Sequence, residues 1–450
     1  MAEVFERFVK RAPVAVMSRA ALEYALEPAP LDALFAAHAD RQYERKLLFS
    51  TMLDLTSLVV CGVHPSVHAA YKAMREQVPV SLTAVYDKLG GVETTTTEAL
   101  VAHSAERLRP VLDALGTAEQ WLPGYRIRVL DGNCLAATER RIEVLRACAA
   151  GPLPGKSLVV LEPEVGLVVQ MVACEDGHAQ ERSLLDPIIA AANPSDVYIA
   201  DRNFCTLGFL YGLATRSVHF VIRQHANLPV HSCGTLRQRG STDSGTVFEQ
   251  TVTLVREGVE LRVRRIVLRL NAPTRDGDTE IAILTNLPPS INARTIADLY
   301  QRRWTIETLF ARVERNLHSE IAALGYPKAA LFGFGVALVA ANVFAVVCAA
   351  MEAAKCMNRA VADMPLSTFA IVRAARSVHD GLDLMIDDHV WAQFHSMAPH
   401  PFAKRLVAWA KNADWQRFRK AVRGPKKPVP KRTRFKDKPH VSTARLLEER

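Results

Sequence analysis

The chain has 450 residues, 49% hydrophobic and 23% charged, with a formal net charge of +9. Those are globular values, so most of the chain should fold, in two or three domains by its length. Eight cysteines are scattered without a CxxC pair and the first residues carry no signal-peptide pattern, which excludes a disulfide scaffold and predicts reduced thiols in the cytoplasm.

Residues 1–120 read as helical, through LLFSTMLDLTSLVVCGV, SVHAAYKAMREQ, SLTAVYDKLGG and TEALVAHSAERLRPVLDAL. The Gly90-Gly91 break before the last of these resembles the turn of a helix-turn-helix. Cys61, His64 and His68 imitate a metal cluster, as do His225, His231 and Cys233, but neither set has a second ligand pair at zinc spacing. The pattern changes at Gly124. GYRIRVLDG alternates and predicts a strand ending at Asp131, and SLVVLEP and VGLVVQMVACE predict two more. ERSLLDPIIAAA reads as a helix broken at its proline, DVYIAD as a short strand stopping at Asp201, TLGFLYGLAT as a helix and VHFVIRQ as a strand. Residues 230–287 are strand-rich, with punctuation that suggests a mostly antiparallel sheet.

Residues 295–322 predict one long helix, capped by Thr295 with Asp298 or by Asn292. Winding it at about 100° per residue brings Tyr300, Arg303, Glu307, Glu314 and His318 within roughly 60° of one another. By itself such a polar stripe is more often a solvated face. Residues 329–351 carry no charge and are long enough to span a bilayer, but Gly333, Gly335 and a central Asn342 fit a helix buried on all sides equally well. Further helices run to about residue 420. The window 417–438 holds eleven Lys or Arg against Asp437 alone, so it carries +10 and the rest of the chain −1. Its interleaved prolines predict an extended basic tail suited to a phosphate backbone.

Three strands that can form a meander, then helix, strand, helix and strand, make an α/β layout of the ribonuclease H-like kind: a mixed sheet flanked by helices. In it the first and fourth strands lie side by side, which would bring Asp131 and Asp201 together, with Glu307 presented from the crossing helix. An Asp at a strand end is commonly a turn or helix cap, so each acid alone says little. Three converging carboxylates, however, repel unless cations neutralise them. Hard oxygen ligands suit Mg²⁺ or Mn²⁺, and a metal pair about 4 Å apart supports in-line phosphoryl displacement.

The motifs then fall into a known order. LDGN at 130–133, ADRNF at 200–204 with HFVIR at 219–223, LTNLP at 284–288, YQRRWTIE at 300–307 and GYPKAALFGFGVAL at 325–338 together resemble the DDE transposases of bacterial insertion sequences, most nearly the insertion sequence 4 group. The resemblance runs from about residue 120 to the end. It implies a catalytic triad of Asp131, Asp201 and Glu307 holding two Mg²⁺ or Mn²⁺ ions, with Tyr300 and Arg303 contacting the DNA backbone near the cut. It also implies a domain plan: a helical DNA-binding region over 1–120, and a catalytic domain over 121–355 interrupted by a β-rich insertion at about 224–287. C-terminal helices over 356–420 and a basic tail over 421–450 complete it. The expected function is strand cleavage at an element's ends and joining of the freed 3′-hydroxyls to target DNA. A homodimer would work in a synaptic complex on double-stranded DNA, in the cytoplasm with the nucleoid and without a membrane. Lys426, Lys427, Lys431, Arg432 and Arg434 would add DNA affinity. One position departs from the family. The lysine usual seven residues after the glutamate is Glu314 here, and Arg315 or Arg312, which could replace its contact, point differently. The rival readings are a metal-dependent nuclease that is not mobile and a non-catalytic DNA-binding protein on the same scaffold.

Overall fold

The structure, a computed structural model, describes residues 2–42, 46–136, 142–146, 151–274, 277–421 and 440–449. The five basic tail residues Lys426, Lys427, Lys431, Arg432 and Arg434 lie outside the described residues. Among the described residues the strands are β1 Arg126–Leu135, β2 Gly151–Leu153, β3 Gly155–Glu162, β4 Leu167–Cys174, β5 Asp196–Ala200 and β6 His219–Arg223. They continue with β7 Ser232–Cys233, β8 Arg237–Thr242, β9 Gly245–Arg256, β10 Val259–Leu270, β11 Glu280–Thr285 and β12 His440–Ser442.

Ten of them form one mixed sheet in the order β4-β3-β1-β5-β6-β11-β10-β9-β7, with β8 on β9. β1 is antiparallel to β3 and parallel to β5, in a register that sets Val129 opposite Ile199. The side-by-side first and fourth strands anticipated from sequence are therefore present. β1 does not end at Asp131, however. It runs on to Leu135 because β3 keeps offering ladder partners, from Val159 opposite Asp131 to Gly155 opposite Leu135. Residues 230–287 are antiparallel, as their punctuation suggests, but they are not a separate sheet. β11 joins β6, with Leu284 opposite Ile222, and so extends the central sheet.

The period of two decides which face each acid takes. Ile127 and Val129 of β1 and Val197 and Ile199 of β5 belong to one buried core, while Leu130, Tyr198 and Ala200 face a second core built on the helix Leu207–Thr215. Asp131 and Asp201 therefore sit on the first face. At the opposite end of the same strand pair, Arg128 bonds the buried carboxylates of Glu162 and Asp196, and Arg109 from the helix Thr94–Leu115 also pairs with Glu162. Removing one member of such a buried set leaves an uncompensated charge, so the strand pair is firmly held at that end.

The uncharged 329–351 stretch lies within the helix Pro327–Cys356, long and apolar enough to cross a membrane, with 89% of its most apolar window buried inside the protein. Gly335 lets it approach the helix Thr94–Leu115, since a Cβ there would collide with Thr97. Asn342 is fully buried, donating to Ser104 Oγ and Val168 O and accepting from Val168 N. It thus satisfies polar groups of the edge strand β4 from the core side. The N-terminal helices share this same core. Gly90 and Gly91 do not break them as expected: both lie inside the helix Leu82–Gly91, and the turn falls at Val92 and Glu93 before Thr94.

Candidate active site

The polar helix expected over 295–322 is two helices, Ala293–Gln301 and Trp304–Asn316. Asn292, one of the two anticipated caps, accepts from the backbone of Arg294 and Thr295. Between the helices the hydrogen bonds tighten to three-residue spacing: Arg303 N to Tyr300 O at 3.0 Å, and Thr305 N to Arg302 O at 3.0 Å. The Thr305 hydroxyl also bonds the Arg302 carbonyl, which fixes the kink. The second helix ends at Asn316, so His318 lies outside it, its backbone N–H bonded to Val60 O.

This kink sets the site. Ile306, Leu309 and Val313 bury themselves in the core that carries Ile127, Val129, Val197 and Ile199, so the second helix covers the face bearing the two aspartates. Arg303, at the kink, donates from Nη1 to Asp131 Oδ2 at 3.1 Å and from Nη2 to Glu307 Oε1 at 2.8 Å. Its side chain is only 11% exposed, against 19% for Asp131 and 38% for Glu307. Asp131 Oδ1 accepts from Gly132 N at 2.9 Å, and Asp201 Oδ1 caps the turn Arg202–Phe204 by accepting from Asn203 N at 2.8 Å.

Burial pushes the Asp131 carboxyl up to about 6, with the charges of Asp201 and Glu307 adding to the rise and the Arg303 guanidinium and the Gly132 N–H opposing it. The coupling links all three acids electrostatically. Burial also raises the Tyr300 phenol, which bonds Arg303 and is itself buried. The Arg303 guanidinium is opposed by burial, but Tyr300, Asp131 and Glu307 together hold its pKa above the ordinary value.

Over 123–340, the chain matches the family model of the transposase DDE domain. The chain is 31% identical over 198 residues to a probable transposase for insertion sequence element IS5377 of Geobacillus stearothermophilus, covering 43% of this chain and 48% of that one. It is 34% identical over 125 residues to the transposase y4zB of Sinorhizobium fredii, covering 27% of this chain and 33% of the other. The chain thus spans about half or less of the length of the curated relatives it matches. Among solved structures, a piggyBac transposase synaptic complex with hairpin DNA is similar at a TM-score of 0.37 and 9% identity, over 87% of this chain and 86% of that one.

All three sequence-designated acids lie inside the matched span 123–340, and Arg303 ties Asp131 to Glu307 there. Tyr300 is 8% exposed on the first helix and Arg303 is engaged with the acids, whereas Arg315 and Glu314 are exposed on the second. Among the described residues no group of three His, Cys, Asp or Glu side chains stands at metal-holding spacing, at Cys61, at His225 or at the acids. The donor chemistry nonetheless fits a hard divalent cation: oxygen ligands only, with a guanidinium standing between two carboxylates where positive charge is required. Sequence reasoning missed two other acids nearby. Glu320 accepts from Ala136 N at 2.6 Å and Glu181 accepts from Asn203 Nδ2 at 2.6 Å. No periodicity marks either, because Glu181 opens a single 3₁₀ turn, Glu181–Leu184, and Glu320 lies outside helix and strand.

Proposed function

We propose that the chain is a DNA transposase of an insertion sequence that cuts at its element's ends and joins the freed 3′-hydroxyls to target DNA. The observation that carries the reading is the parallel β1–β5 pair with Asp131 and Asp201 on one face, covered by the helix that presents Glu307. That arrangement supports a ribonuclease H-like catalytic domain, and the insertion sequence 4 group is the branch its motifs fit. Asp131, Asp201 and Glu307 would hold Mg²⁺ or Mn²⁺, two ions in all. Such ions, when bound, polarise phosphate oxygens and lower the pKa of an attacking hydroxyl or water.

The chain's own residues do the rest. Asp131 and Glu307 would hold the cation in place of the Arg303 guanidinium, and Arg303 would then be free to grip a backbone phosphate in bidentate fashion. Tyr300, bonded to Arg303, orients it, and Arg315 supplies charge from the exposed side of the helix. The N-terminal helices would read the terminal repeats. Residues 426–434 would add phosphate contacts, and a homodimer would hold two ends together in the nucleoid.

The test is strand cleavage on linear DNA carrying the gene's own flanks, with Mg²⁺ or with EDTA, by wild type and Glu307→Ala. Metal-dependent cuts at the element boundary that vanish in the variant are expected. Cuts away from the boundary favour the nuclease, and binding without cutting favours the non-catalytic reading. Cuts surviving in the variant refute the role of Glu307.

A further inference from the structure

We infer that Glu181 is a positioning residue of the carboxylate site, acting on Asp201 through Asn203 and holding the turn after β5 against the strand that carries Asp131; this rests on the proposed function. Glu181 opens the short turn Glu181–Leu184, fifty residues from Asp131 in sequence and twenty from Asp201, and no motif marks it. Its Oε2 accepts from Asn203 Nδ2 at 2.6 Å, and the backbone N–H of the same Asn203 donates to Asp201 Oδ1 at 2.8 Å. Asn203 thus touches Glu181 with its side chain and Asp201 with its main chain, so its position is fixed from both sides.

The other oxygen, Oε1, packs against Gly132, occupying the space a Cβ there would need. Gly132 in turn donates its N–H to Asp131 Oδ1. One carboxylate therefore bears on both strand ends. This matters because the parallel ladder between β1 and β5 has its last partners at Val129 and Ile199, two residues short of the aspartates. Beyond that point no β1–β5 backbone pair sets the separation of Asp131 from Asp201, and Glu181 with Asn203 bridges the gap. Neither oxygen of Glu181 is bonded to the three acids, and both lie against their supports, so Glu181 serves those acids from behind. Such outer supports of metal-binding carboxylates typically change metal affinity by about 10–100-fold when removed.

The experiment compares wild type, Glu181→Ala, Glu181→Gln and Asp201→Asn. Mn²⁺ binding is followed by water-proton relaxation, alongside cleavage rate against Mn²⁺ concentration and metal-free DNA affinity. Glu181→Ala is expected to weaken Mn²⁺ binding by roughly tenfold and to shift the Mn²⁺ dependence of cleavage equally, with the rate recovered at high Mn²⁺ and DNA affinity unchanged. Glu181→Gln, whose amide oxygen still accepts from Asn203, should stay within about threefold of wild type, and Asp201→Asn should abolish Mn²⁺ binding. Wild-type Mn²⁺ affinity and rate in Glu181→Ala, with Asp201→Asn inactive, would overturn the inference and leave the transposase reading intact. A wild type that neither binds Mn²⁺ nor cuts would overturn both.

Discussion

Asp131→Asn should make the protein more stable near neutral pH, and the size of the gain follows from where Asp131 sits. Burial beneath the second helix raises its carboxyl from 3.8 to about 6, even with Arg303 at 3.1 Å. At about 1.36 kcal/mol per pKa unit, keeping that carboxyl ionised costs the folded state roughly 3 kcal/mol relative to the unfolded chain. Because the folded pKa is the higher one, the cost is absent below the unfolded value, grows as pH rises from 3.8 towards about 6, and is complete above it. Asparagine matches the neutral acid in size, but its single amide oxygen can accept from Gly132 or from Arg303 and not from both, so about 1 kcal/mol of the gain is lost. Urea unfolding near pH 7.5 should therefore show the variant more stable by about 2 kcal/mol, with the gap gone near pH 4. Mg²⁺ at a hundred times its dissociation constant should offset that gain, since it adds about 2.7 kcal/mol to the wild type alone. Equal stabilities near pH 7.5, or a gap that widens on acidification, would refute the reasoning.

Arg303→Ala leaves Asp131 and Glu307 without their shared cation, so it should cost about 3–5 kcal/mol in metal-free buffer. Thermal scans should then show a larger Mg²⁺-induced rise in Tm for the variant than for wild type. Asn342→Ala strands the Val168 N–H and carbonyl in the core and opens a small void, for a loss of about 2–4 kcal/mol by urea titration. Changing Lys426, Lys427, Lys431, Arg432 and Arg434 together to Gln should flatten the salt dependence of DNA binding. Each lost phosphate contact should remove about 0.9 from the slope of log K against log salt.

Much of the sheet was legible because strand alternation is local: β1, β3, β4, β5 and β6 follow directly from the runs around Val129, Val159, Val169, Ile199 and Val221. Extension of β1 past Asp131 was not legible, since it depends on partners in β3 that no property of residues 132–135 announces. The kink at Arg303 was hidden for a related reason. Tyr300, Arg303 and Glu307 keep helical spacing, and the break shows only in the three-residue backbone bonds of Arg303 and Thr305. The three acids could be named through their motifs, but that Arg303 stands between two of them is a tertiary fact. So is Glu181, whose signal is a glycine at 132 that reads as an ordinary turn residue until the structure shows what fills the space beside it.

Residues 440–449 give the basic segment an unexpected status. β12 pairs in parallel with β2, and Arg445 holds Asp176 at 2.7 Å, while on the other side Lys420 N bonds Pro365 O at 2.8 Å. Each described flank of the basic segment is thus fastened to the fold, and the segment joins them in sequence. One proteolytic nick inside it should release no peptide under native conditions, yet separate two fragments in denaturant.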